Sequence, residues 1–108
     1  MSESTAQDTK QARLDHPSGF LHLTRHESVP IIVDALLDLP PRREVNKTEL
    51  ADHAGVTRQS VGTHVDLLLE LDLLEVVPNT SPQRYRVADS DVVQELLEFN
   101  SALNAVRE

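Results

Sequence analysis

Residues Lys47–Leu74 read KTELADHAGVTRQSVGTHVDLLLELDLL, and the rest of the chain is most simply understood as support for this stretch. Two helices that meet at a tight turn need a small residue where they touch. They also need a residue tolerant of left-handed backbone at the turn, and an apolar anchor on the second helix. Ala51, Gly55 and Val61 meet these needs in order, and Leu50, Ala54 and Val56 extend the apolar face. Asn46 is expected to cap the first helix, with Glu49 at the third helical position reaching back in a variant of the capping box. Gly55 suits a left-handed C-terminal turn, where a Cβ is penalised. Thr57 caps the second helix, in which Val61, Val65 and Leu68 recur at helical spacing.

Outward from this unit, Ser28 is the expected cap of an earlier helix, with Pro30 tolerated in its first turn. Ile31, Ile32, Ala35, Leu36 and Leu39 are its expected buried stripe, and Pro40-Pro41 ends it. Arg43–Val45 form a short extended link. Residues 1–17 are polar and aperiodic and are expected to form a disordered tail; Phe20, Leu21 and Leu23 begin the ordered domain, 18–108. Downstream, Leu73–Val77 and Arg84–Val87 read as two strands around the turn-rich PNTSPQ, Pro78–Gln83. Alternation puts Tyr85 and Val87 on one face and Arg84 and Arg86 on the other. Asp89 or Ser90 then caps a last helix, 91–106. The expected fold is mainly α with one small β-hairpin.

Composition narrows the function. The 108 residues suffice for one domain with a modest core, and with no cysteine, disulfides, thiolate metal sites and thiol catalysis are all excluded. No apolar run approaches the roughly 20 residues of a membrane span, and the N-terminus lacks a signal-peptide core. A cytoplasmic location without membrane contact is expected. The formal net charge is −8, which opposes phosphate binding. It is unevenly spread: Arg42–Thr63 holds four Lys/Arg and three Asp/Glu (+1), whereas Asp89–Glu108 holds Arg107 and five acids (−4). Lysine occurs only at positions 10 and 47, against eight arginines and 18 acids, a usage similar to that of extreme halophiles, especially haloarchaea.

The order helix, link, helix, turn, helix, hairpin, helix resembles the winged helix-turn-helix superfamily of prokaryotic transcriptional regulators, of the arsenic-repressor-like and MarR-like type. TELADHAGVTRQSVGTHVDLLLELDLLEVV followed by RYRV carries the resemblance, over roughly residues 28–87. Two departures stand out: Asp72 occupies a place before the hairpin where glycine is frequent, and Gly62-Thr63 stands where a basic residue is common.

In such a domain the N-terminal end of the second helix reaches base edges, and helix 58–71 is expected to read the major groove. Gln59 carries the donor and acceptor pair that addresses adenine, Arg58 suits guanine or phosphate, and Ser60 and Thr63 suit a base or a phosphate. Thr57, Lys47 and Thr48 stand at helix N-termini, which favour anions. Arg84 and Arg86, in hairpin 73–87, are candidate backbone grips; the competing reading is a cross-strand ion pair with Glu75. Arg42 and Arg43 are weaker candidates. His16, His22, His26, His53 and His64 show no metal-ligand spacing, and no nucleophile motif, phosphate loop or cofactor motif is present, so neither an enzyme nor a metal protein is expected.

In the last helix Val92, Leu96, Phe99, Leu103 and Val106 form an a/d seam over two heptads. It is expected to pair with a second copy, the alternative being a fold-back on its own domain. The leading expectation is a sequence-specific, homodimeric regulator of double-stranded DNA, its small-molecule effector, if any, unidentifiable from sequence. The alternative is a winged-helix protein-interaction module without DNA binding.

Overall fold

Three helices and a hairpin close around a single aliphatic core in the computed structural model, which describes residues 2–108, the first three of these by backbone alone. The elements run α1 (Ser2–Asp15), α2 (Gly19–Thr24), α3 (Ser28–Asp38), α4 (Lys47–Ala54), α5 (Arg58–Glu70), β1 (Leu74–Val77), β2 (Arg84–Val87) and α6 (Asp91–Arg107). Ile32, Leu50, Val61, Leu68 and Leu74 are each at most 2% exposed and join α3, α4, α5 and β1 into one cluster.

The local signals around the central turn are realised in atomic detail. Asn46 accepts from the Glu49 amide while Glu49 accepts from the Asn46 amide, a reciprocal capping box. Gly55 ends α4 at φ 76°, and its amide and that of Val56 both donate to the Ala51 carbonyl. The Thr57 hydroxyl accepts from the Ser60 amide and starts α5. Val61, Val65 and Leu68 are the buried side of α5.

The exit from α5 is a Schellman turn. The amide of Leu73 donates to the Leu68 carbonyl and that of Asp72 to Leu69, with Asp72 left-handed at φ 60°. This is the physical reason glycine suits position 72: the turn needs a backbone that a Cβ penalises, and a short polar side chain is the usual substitute. The Ser90 hydroxyl donates to the Asp72 carbonyl at 2.6 Å and also caps α6, so one residue ties the turn to the last helix.

β1 and β2 pair antiparallel, Leu74 opposite Val87 and Val77 opposite Arg84. Val45 adds a bridge on the other edge of β2, exchanging both backbone hydrogen bonds with Tyr85 at 2.8 and 2.9 Å. The expected extended link is therefore a third, one-residue strand. Tyr85 is buried and Val87 packs against the core, as alternation requires.

Three expectations need correction. Residues 2–15, expected to be a disordered tail, are helical. Ala6, Gln7, Lys10, Gln11, Ala12, Arg13 and Leu14 are good helix formers and no Gly or Pro interrupts them. The absence of an apolar stripe, which argued for disorder, instead leaves the side chains described there exposed. In α3 the buried set is Val29, Ile32, Val33, Ala35 and Leu36, whereas Ile31 is 43% exposed and Leu39 only half-buried. The segment VPIIVDALLD is apolar nearly all round, so packing, not periodicity, selects its inner face. Ser28 lies inside that helix; Glu27 is at its cap position and makes no side-chain cap.

α6 meets the domain only through its first turns. Val93 is buried and Leu96 half-buried, but Val92, Phe99, Leu103 and Val106 are 46, 56, 48 and 86% exposed. The alternative of a helix folded back along its length on its own domain is therefore not what the structure has. With α1 likewise exposed, the radius of gyration is 16.1 Å, above the roughly 13 Å of a compact 100-residue domain.

Candidate nucleic-acid interface

The N-terminal turn of α5 is built by cooperation of cap and core. Thr57 fixes where the helix starts, and Val61 and Val65 fix its rotation. Arg58, Gln59 and Thr63 are consequently exposed, with Ser60 half-buried beside them. Among the described residues, Arg58 and Gln59 make no side-chain hydrogen bond or ion pair. Their polar atoms face water and are free to bind. Two candidates are partly committed: the Thr57 hydroxyl accepts the capping bond, and the Thr63 hydroxyl donates to the Gln59 carbonyl at 2.9 Å. Gly62 has open space where a Cβ would stand, so internal packing does not demand glycine there.

At the start of α4, Lys47 is half-buried and Thr48 exposed. The same turn receives Arg84, whose guanidinium donates to Glu49 at 2.8 Å and to the Glu44 carbonyl at 3.0 Å. Arg86 donates through Nε to Glu75 at 2.6 Å, the cross-strand pair foreseen as the competing reading. Both hairpin arginines are thus held by carboxylates of the same chain, and PNTSPQ at the hairpin tip carries no cation. A phosphate at either arginine has to share or displace a carboxylate.

The charges respond accordingly. The hydrogen bond from the Asn46 amide holds the Glu49 carboxyl below its ordinary value of 4.5; desolvation opposes it, and the charge and hydrogen bond of Arg84 add to the lowering. The bond and charge of Glu75 raise the pKa of Arg86 above its already high ordinary value, so the guanidinium keeps its charge. Glu44 and Glu49 are the site-shaping residues that local sequence patterns miss: they lie 40 and 35 positions from Arg84, and only the Val45–Tyr85 bridge brings them together.

Three of the five histidines make side-chain contacts among the described residues. His53 lies 2.9 Å from the Ala35 carbonyl, joining α4 to α3, and the rings of His26 and His64 pack at 5.6 Å. No described helix is long and apolar enough to cross a membrane.

Helix, extended bridge, helix, turn, helix and hairpin in this order make a winged helix-turn-helix fold with an added C-terminal helix. Among solved structures, the chain is similar to NolR from Sinorhizobium fredii, with a TM-score of 0.60 over 88% of this chain and 90% of that one, at 21% identity. At that identity the likeness is one of fold. No family model matches the chain, and no curated protein does.

Proposed function

We propose that this protein is a sequence-specific, DNA-binding transcriptional regulator that acts as a homodimer. One observation carries the reading: a capped, core-anchored α5 presents Arg58 and Gln59 exposed and uncommitted at its N-terminal turn. In a winged helix-turn-helix that turn lies against base edges in the major groove. Gln59 addresses adenine, Arg58 guanine or a phosphate, and Ser60 and Thr63 the flanking positions. Lys47, Thr48 and the Thr57 hydroxyl supply phosphate contacts at two helix N-termini. Arg84 and Arg86 act second, exchanging carboxylate for phosphate. The exposed Val92, Phe99, Leu103 and Val106 of α6, with half-buried Leu96, form the dimer seam. Two copies then read two related half-sites, which compensates for modest affinity per domain.

The hairpin ion pairs and the net charge of −8 favour a second reading, a protein-interaction module built on the same surfaces. Footprinting on the DNA flanking the coding region separates the two. Protection by the wild type, lost in Arg58→Glu, supports DNA reading; no protection by folded wild-type protein favours the interaction module.

A further inference from the structure

The cations of the candidate interface fall into two groups. At the N-terminal turns of α4 and α5, Lys47 and Arg58 make no ion pair or side-chain hydrogen bond among the described residues. In the hairpin both arginines are held. Arg86 lies directly across the ladder from Glu75, and its Nε donates to that carboxylate at 2.6 Å. Arg84 stands opposite apolar Val77 and reaches off the sheet instead, to Glu49 at 2.8 Å with Glu44 at 3.9 Å. Carboxylates from β1, the link and α4 thus converge on the two guanidinium groups. The division matters because carboxylate and phosphate offer a guanidinium the same kind of acceptor. A phosphate arriving at Arg86 either displaces Glu75 or takes the open terminal nitrogens and lies beside its negative charge. In both cases the carboxylate stays at the DNA surface and retains a cation there, so the contact releases fewer counterions than a free arginine does. The pairs are partly exposed, so opening one costs little. A DNA backbone already docked by α5 can open them, whereas a passing phosphate gains almost nothing by doing so.

We propose that Glu75, with Glu44 and Glu49, determines selectivity: these carboxylates hold the hairpin arginines away from unrelated DNA, so the hairpin grips a phosphate only where α5 has found its bases. The proposal rests on the DNA-binding reading and adds to it a means of raising the ratio of specific to non-specific affinity. Charge is free where bases are read and held where the backbone is gripped, and gripping is the part that does not discriminate. Glu75 is the residue to test, because Glu49 also caps α4.

The test titrates wild type, Glu75→Gln, Glu75→Gln with Arg86→Gln, and Glu98→Gln on unrelated duplex DNA and on the DNA flanking the coding region. Glu98 is exposed on α6 and unpaired among the described residues, so its variant controls for the change in net charge alone. Circular dichroism checks that each variant folds. Glu75→Gln keeps the shape of the side chain, removes its charge and should bind unrelated DNA more tightly than the wild type. That advantage should grow about 3.5-fold as salt falls from about 200 to 50 mM, the factor for one added phosphate contact. The gain on the flanking DNA should be smaller, so the ratio of specific to non-specific affinity falls. The double variant should return to wild-type affinity on unrelated DNA. The proposal is overturned if Glu75→Gln binds unrelated DNA as the wild type does, if Glu98→Gln shows the same gain, or if the double variant keeps it. Any of these in a protein that still prefers the flanking DNA leaves the DNA-binding reading standing. Folded protein that binds neither DNA in any variant overturns both.

Discussion

Glu49 and Arg84, 35 residues apart, form an ion pair of 2.8 Å that fastens the hairpin to the first turn of α4. The same carboxylate accepts the Asn46 amide, so helix cap and hairpin clamp share one group.

That sharing predicts a pH dependence. The folded state holds the Glu49 pKa below 4.5, so on acidification the unfolded chain takes up the proton first. The stabilisation is therefore complete above the unfolded pKa and is lost as pH falls through the lower, folded value. Urea midpoints measured from pH 7 to pH 2 should fall for both wild type and Glu49→Gln as other carboxylates protonate. The gap between them should narrow below about pH 4.5, the ordinary glutamate range. A gap constant across that range contradicts the shared role of Glu49.

Asp72 and Gly55 test the two left-handed turns. Left-handed backbone costs an L-residue with a Cβ roughly 1–2 kcal/mol. Asp72→Gly should therefore raise stability by up to about 1 kcal/mol, and Gly55→Val should lower it by at least about 1 kcal/mol. A Cβ at Gly55 meets nothing within 4 Å, so the penalty begins with the left-handed backbone and not with a Cβ clash. Thermal melts of both variants check the assignment.

These turns also mark what was legible in the sequence. Asn46, Glu49, Gly55, Thr57 and Ser90 act on amides within a few positions of themselves, so residue type and spacing suffice to read them. The inner face of α3 is a different matter, because Ile31 and Ile32 are chemically identical and only tertiary packing separates them. Helix α1 escaped because apolar periodicity detects helices that pack, and this one does not. At the candidate interface, the exposure of Arg58 and Gln59 follows from the register of Val61 and Val65. The commitment of Arg84 to Glu44 and Glu49 depends on a long-range strand bridge that no local pattern encodes.

The exposed seam of α6 predicts separate outcomes for neighbouring residues. Phe99→Glu with Leu103→Glu should leave the circular dichroism spectrum and melting of the fold nearly unchanged and convert a dimer to a monomer in sedimentation equilibrium. Val93→Asp, at 8% exposure, should unfold the protein instead. A stable dimer carrying both glutamates removes α6 from the interface.

The net charge of −8 predicts stabilisation by salt. The excess carboxylates repel one another, and the Debye length shrinks to about 3 Å at 1 M. The melting temperature should rise between dilute buffer and molar potassium chloride. A flat or falling response contradicts a halophilic adaptation.

The central claim is that α5 reads DNA. Its most direct test is a binding titration of wild type and Gln59→Ala across salt concentration, on the DNA flanking the coding region and on unrelated DNA. For the wild type, log Kobs should fall linearly with log salt on both, as phosphate contacts require. Gln59→Ala should lose roughly 1–3 kcal/mol on the flanking DNA, the value of a bidentate base contact, and almost nothing on unrelated DNA. Wild-type protein that is folded yet shows no salt-dependent binding to either DNA, or a Gln59→Ala variant that discriminates between them as the wild type does, contradicts the account.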